Sequence, residues 1–464
     1  MTTASTQAFY ANRKYSANAV SHKVILLDSL PKKVAEFYRQ LNNVGSQSER
    51  FFQEARRYAD RHFCKSIIIF DCMDERQDDT RKNLGIPALG AVSVRTAGNQ
   101  LGDYNRHVEA EIMDIVKDSN KEASGDRLWH PVLILFVTHS SKSRPHDDSC
   151  AAWKHETAAA LKDAELQVQR FNHGYAVFDS DGNVKQRFAI ALHLHTYTDT
   201  EAIAFIGEES RVDPSIFADA SIDSVLHDLN GIELENMAYK LMRQTFPFED
   251  PRFLGLKHED WEKVLHQLAE MLVANAHVVR AIADKRREAS KAGHQGNFIV
   301  VGRGWELLEE ANTHFSIGDY AYDISREARI AGKYVLVNAI RSVAQGQSNT
   351  CSVPFHINVP YGDDTHLKSE LDRCASARYA LGLARRMLNY WRKIAKDKAK
   401  RAAFQQEVWQ ALEHAGAGQA EKAVLDNLFQ PGNFMRLFQF YVSVSHKRER
   451  QFELIATTQE VANS

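Results

Sequence analysis

Five residues of this sequence have the types and spacing that a metal-dependent reaction needs. Cys72 stands two residues beyond the apolar run SIIIF, in IIIFDCMDERQ, with Asp74 and Arg76 at the second and fourth positions after it. His139 closes a second such run, in VLILFVTH, and Cys150 ends a polar loop, in HDDSCAAWKHE. Runs that are apolar throughout and rich in β-branched residues suit strands buried on both faces. Open α/β sheets place their sites beyond the carboxyl ends of such strands, which is where Cys72 and His139 fall. Two thiols and one imidazole converging there make a Cys2His set for zinc, with a fourth position left for water. The two thiolates cancel the charge of a divalent ion, and the metal draws the pKa of water toward about 7. Asp74 can accept the proton of that water and aim its lone pair, or it can displace the water and close the site. Arg76 can hold Asp74 ionised through a charge-assisted contact.

Each of these residues also has an ordinary reading. A cysteine after a strand is commonly a small buried hydrophobe, Asp-x-Glu-Arg a solvated turn, and a single histidine a core residue. Their shared placement at strand ends is what favours a joint site. Other chemistries fit Cys72 less well. A phosphatase-type loop needs an arginine six positions on, where Asp78 stands, and a C-x-x-C redox pair is absent, since Cys64 is eight residues away. His193 and His195 form an H-x-H that reads as a polar strand face rather than a second metal site. Gly302 and Gly304 follow FIVV in the manner of a dinucleotide loop. Leu307 occupies the third glycine position, so a structural strand-to-helix turn is expected there.

The elements that position these residues alternate between strand and helix. Residues 31–62 read as helix, 66–70 and 132–137 as buried strands, 92–94 as a short strand, 104–118 and 151–164 as helices. YAVF, RFAIALHLH and AIAFIG between 174 and 207 are strand-like, with a DSDGN turn at 179–183. Residues 213–290 are mostly helical, and the charged stretch 284–296 could join two domains. From Phe298 a second α/β pattern begins: FIVVG, YVLVNAI, VPFHINVPYG and LFQFYVSVS read as strands, and residues 366–428 as helix. The expected fold is α/β, with mainly parallel sheets.

The 464 residues are 44% hydrophobic and 25% charged, enough for a sizeable core and about two or three domains. Lys plus Arg is 58 against 60 for Asp plus Glu, a net charge of −2 that gives no footprint for nucleic acid. No apolar run reaches the roughly 18 residues of a membrane helix, and residues 1–23 show no secretory leader. A cytoplasmic protein is expected. Five cysteines, Cys64, Cys72, Cys150, Cys351 and Cys374, are too few and odd in number for a disulfide framework.

CMDER at 72–76 resembles the C-x-D-x-R element of β-class carbonic anhydrases, and VRTAGN at 94–99 resembles their R-x-A-G-N loop. The family usually has H-x-x-C, whereas His139 and Cys150 are eleven apart. That interval, the nearby His146 and the sequence CAA after it resemble the carboxysome shell carbonic anhydrases, a divergent branch. TYTDTEAIAFI at 196–206, GHQGNFIVVGRGWELLE at 293–309, SVPFHINVPYGDD and LFQFYVSVS are similar to that branch as well. The resemblance implies zinc held by Cys72, His139 and Cys150, with an Asp74–Arg76 dyad. It implies reversible hydration of CO2 to bicarbonate by zinc-bound hydroxide. It also implies three parts: an N-terminal helical lead (1–60), a catalytic unit (61–296) and a diverged second anhydrase unit without metal ligands (297–464). His294 matches a histidine at the junction and is a candidate proton relay. Family members are at least dimeric. The lead before Cys72 is only 71 residues, shorter than the family's N-terminal region, so a carboxysome address with shell or Rubisco partners stays open beside a cytoplasmic one. Two other functions stay open: hydrolysis of carbonyl sulfide or carbon disulfide, and a non-catalytic zinc-bearing scaffold.

Overall fold

The computed structural model describes residues 24–74, 80–99, 130–142, 150–153, 155–214, 231–284, 296–305, 308, 314–318, 323–362, 369–447 and 449–463. The expected helix at 104–118 lies outside these residues. Two helices open the described chain, α1 (Lys32–Gly45) and α2 (Ser48–Arg61), where the sequence pattern reads as one. The break falls at Gly45 and Ser46, both poor helix formers beside the flanking Leu, Glu and Arg. The chain forms two compact units, one of residues 50–292 and one of residues 1–49 with 293–464. The expected lead is therefore divided, with α1 in the second unit and most of α2 in the first.

The first unit is built on strands β1 (Ile67–Cys72), β2 (Val92–Thr96) and β3 (Val132–Ser140). A small antiparallel hairpin of β4 (Ala176–Phe178) and β5 (Val184–Arg187) follows. The main sheet is completed by β6 (Ala189–Tyr197), β7 (Ala202–Ile206) and β8 (Arg211–Val212). The sheet order is β2-β1-β3-β6-β7-β8, parallel from β2 to β6 and antiparallel thereafter. Every residue of β1 and β3 is buried, which is why both read as unbroken apolar runs. Helix α3 (Thr157–Gly174) packs on β3 and β6, where Phe171 meets the stacked pair Phe70 and Phe136, whose centroids are 4.7 Å apart. This helix starts six residues later than the pattern suggests, after a 3-10 turn at Ala151–Trp153. The other cluster joins Leu133, Leu135, Val137, Leu192 and Leu194 to α4 (Gly231–Thr245) and α5 (His258–Asp284). The two together leave the carboxyl ends of β1 and β3 as the place where polar groups collect.

The second unit repeats the strand order. β9 (Phe298–Gly302), β10 (His314–Ile317), β11 (Val353–Tyr361), β12 (Phe438–His446) and β13 (Phe452–Thr457) form a sheet ordered β10-β9-β11-β12-β13. As in the first unit, the second, first, third and fourth strands run parallel and the fifth antiparallel. Tyr38 and Leu41 of α1 pack in its core with Val300, Tyr441 and Leu454. YVLVNAI, expected as a strand, lies inside helix α6 (Ile324–Ala344). Asp323 caps that helix, accepting from the N–H groups of Ser325 and Arg326, and Ala328, Ala331, Val335 and Ile340 are buried at helical spacing. Cap and periodicity thus outweigh the β-branched run. The described residues of the expected helix at 366–428 form α7 (Ser369–Lys396), α8 (Lys398–His414) and α9 (Gln419–Leu428). Trp391 of α7 is fully buried and stacks on Phe438 of β12 at 3.9 Å, and Phe404, Val408 and Leu412 of α8 are buried too.

Gly302 and Gly304 are structural, as the missing third glycine indicated. Gly302 has φ +102° and pairs with Asn358, and a Cβ on it would lie 2.0 Å from the Asn358 carbonyl oxygen. Gly302→Ala should therefore force β9 and β11 apart and cost on the order of 3 kcal/mol. Thermal unfolding measures this, and an unchanged midpoint would contradict the close approach. No helix among the described residues is long and apolar enough to cross a membrane.

Candidate metal centre

Cys72 ends β1, His139 is the penultimate residue of β3, and Cys150 lies at the same edge of the sheet. Because β1 and β3 run parallel, their carboxyl ends lie side by side, and the structure brings these three residues together. One ligand atom from each lies within 4.8 Å of the others, and all three residues are buried. It is the one such group of three among the described residues. The Cys72 and Cys150 sulphurs are 3.7 Å apart. None of the five cysteines is in a disulfide. That separation is far beyond a disulfide bond and equals the edge of a tetrahedron with metal–sulphur bonds of about 2.3 Å. The donor set therefore fits a metal ion. Burial, and then the neighbouring Cys150 sulphur, push the Cys72 thiol well above its ordinary range. A cation between the two sulphurs reverses that penalty and lets both ionise.

Asp74 is buried two residues beyond Cys72, and its Oδ2 lies 3.8 Å from His139 Nε2. A carboxylate thus stands against the ligand cluster, as the sequence spacing suggested. Arg76, His146 and His294 lie outside the described residues.

The backbone around the cluster is braced by residues whose roles the motif reading did not assign. Arg95 of β2 donates from Nε to the Cys72 carbonyl at 2.9 Å and from a terminal nitrogen to the Asp74 carbonyl at 3.1 Å. One guanidinium therefore fixes the exit of β1 that carries both residues. The Gly98 N–H donates to Cys72 Sγ at 3.2 Å, and Trp153 Nε1 donates to the Gly98 carbonyl at 2.8 Å. Gly98 has φ +67°, and a Cβ there would sit 2.7 Å from Trp153 Nε1, so this approach to the sulphur needs glycine. Backbone N–H bonds to a thiolate stabilise its charge and orient it.

The H-x-H of β6 lies on a buried polar strand face. His193 and His195 are both buried, and both reach the Thr138 hydroxyl of β3, at 2.9 and 2.8 Å. His195 also reaches the Ser140 hydroxyl, at 2.8 Å. The β3–β6 register, with Thr138 opposite His195, produces these contacts. The pair belongs to no group of three ligand residues among the described residues.

Compared with known proteins, the chain matches no family model and no curated protein. What the site can do follows from its own residues: two buried sulphurs and an imidazole that can hold a metal ion, beside a buried carboxylate.

Proposed function

We propose that the protein is a β-type carbonic anhydrase, converting CO2 and water to bicarbonate and a proton around zinc held by Cys72, His139 and Cys150. The observation that carries this reading is the buried Asp74 carboxylate standing 3.8 Å from a ligand imidazole. A structural zinc site closes with a fourth thiolate or imidazole, whereas a catalytic one has three protein ligands and a place for water. Here the fourth neighbour is an acceptor-only group that can orient that water. Zinc bound there would supply Lewis acidity, bringing the pKa of water to about 7.

The chain's own residues do the rest. Cys72, Cys150 and His139 bind the ion, and Arg95 and Gly98 keep Cys72 aimed at it. Asp74 accepts a hydrogen bond from the attacking water and so directs a lone pair at the CO2 carbon. On the sequence resemblance, Arg76 keeps Asp74 ionised for this task. The repeated strand order of the second unit, with Gly302 ending β9 where Cys72 ends β1, supports the reading of a silent second anhydrase unit.

Stopped-flow hydration of CO2 by the zinc-loaded protein tests the proposal. A kcat/KM above about 10⁴ M⁻¹s⁻¹ is expected, lost on chelation. Turnover of carbonyl sulfide with none of CO2 would replace it with a hydrolase, and no turnover of either would leave a scaffold.

A further inference from the structure

Hydration releases a proton that must leave a buried site, and the residues behind His139 form an ordered path. We infer that Ser140, His195, Thr138 and His193 are a hydrogen-bonded relay that carries this proton from the carboxyl end of β3 to Glu165 and solvent. The inference rests on the hydration chemistry proposed above.

From Ser140 to His193 the contacts are continuous, and the Leu194 carbonyl, 3.3 Å from Thr138 Oγ1, is a longer competing acceptor for that hydroxyl. Ser140 Oγ lies 2.8 Å from His195 Nε2, His195 Nδ1 lies 2.8 Å from Thr138 Oγ1, and Thr138 Oγ1 lies 2.9 Å from His193 Nε2. His193 Nδ1 then faces Glu165 Oε2 of α3 at 4.0 Å. The Glu165 side chain is 40% exposed, so a carboxylate free to rotate closes that last gap. The four inner residues are each at most 4% exposed, which keeps water from competing for their bonds.

The order of groups matters. Hydroxyl and imidazole alternate, and each can accept at one position while donating at another. In one arrangement Ser140 donates to His195 Nε2, His195 Nδ1–H to Thr138, and Thr138 to His193 Nε2, leaving His193 Nδ1–H toward Glu165. A proton arriving at Ser140 Oγ displaces the hydroxyl proton onto His195 Nε2. The Nδ1 proton of His195 passes to Thr138, the Thr138 proton to His193 Nε2, and the His193 Nδ1 proton to Glu165. Four bonds to hydrogen break within the relay as new ones form, and no charge remains inside it. Burial first, then Arg211 and Arg252, bring His193 down to about 4, and burial and Arg211 hold His195 well below its usual value. Both rings are thus neutral near pH 7 and can pass a proton without storing one.

The relay also begins in the right place. Ser140 directly follows the ligand His139. His139 lies between Thr138 and Ser140 at the carboxyl end of β3. This path uses groups inside the first unit and needs no histidine from the junction.

His193→Gln and Glu165→Gln test the path in the full-length, zinc-loaded protein. Slower proton export lowers kcat, whereas kcat/KM reports CO2 conversion. Each variant should lose roughly tenfold or more in kcat, keep kcat/KM within about twofold, and recover with added imidazole. A parallel fall of both constants, or no change in either, would overturn the relay. A second readout needs no metal: ring ¹⁵N shifts of histidine-labelled protein. Expected are one proton per ring at His193 and His195 at neutral pH, and a shift of the His195 ring in His193→Gln. A His195 ring blind to that change, or either ring titrating near its ordinary value, would also overturn it. Coupled rings in a wild-type protein that hydrates no CO2 would keep the relay and sink the anhydrase reading. Uncoupled rings in an active enzyme would do the reverse.

Discussion

Cys150→Ala should empty the metal centre. The wild-type protein is expected to carry about one zinc per chain, and the variant less than about a tenth of that after dialysis. Structural zinc sites are held by roughly 10–16 kcal/mol, so one of three ligands accounts for something on the order of 4 kcal/mol, about a thousandfold in affinity. The loss here exceeds a simple share, because the 3.7 Å spacing of two sulphurs is what neutralises a divalent ion inside the protein. Cys72 alone would leave a buried charge uncompensated. The sheet itself should survive. Its core of Leu133, Leu135, Leu192 and Phe205 does not involve the ligands, and burial favours the neutral Cys72 thiol once the ion is gone. Metal analysis together with competition by a coloured chelator measures the effect. Cys351→Ala is the control, since Cys351 is half-buried in the other unit and belongs to no ligand cluster. Full zinc in Cys150→Ala, or zinc lost in Cys351→Ala, would contradict the centre as described.

The centre was legible because its ligands sit at the ends of strands that advertise themselves. Parallel strands buried on both faces, such as β1 and β3, need apolar residues at every position, and their first polar residues mark the sheet edge. These first polar residues are Asp71 and Thr138, and Cys72, Asp74 and His139 follow directly after them. The same logic failed at YVLVNAI, because a β-branched run also fits the buried side of a helix. The deciding signals, Asp323 as cap and the alanines at 328 and 331, lay upstream of the run. Relations across the sheet were the least visible. That His193 and His195 serve Thr138 and Ser140 depends on the β3–β6 register, which no local pattern encodes. Arg95 was visible as part of a motif, but its work on the Cys72 and Asp74 carbonyls follows only from β2 lying beside β1.

Asp74→Asn separates binding from chemistry. Asparagine keeps the size and planarity of the side chain, so packing at a position only 4% exposed should hold, and zinc should stay near one per chain. What changes is the hydrogen bonding. A carboxylate only accepts, and it fixes the proton of the attacking water on its own side, so that the lone pair faces CO2. An amide offers a donor from one of its two ends and carries no charge. Turned one way it repels the water proton; turned the other it accepts weakly. Loss of one preorganised group of this kind costs about 10² to 10³ in rate, and that fall is expected in both kcat and kcat/KM. This pattern differs from the relay variants, which lose kcat alone, so the two sets of measurements locate orientation of water and export of the proton in different residues. Hydration within about twofold of wild type would remove Asp74 from the mechanism. Loss of zinc along with rate would make the carboxylate a fourth ligand instead, a closed site in which Asp74 holds the place that water needs.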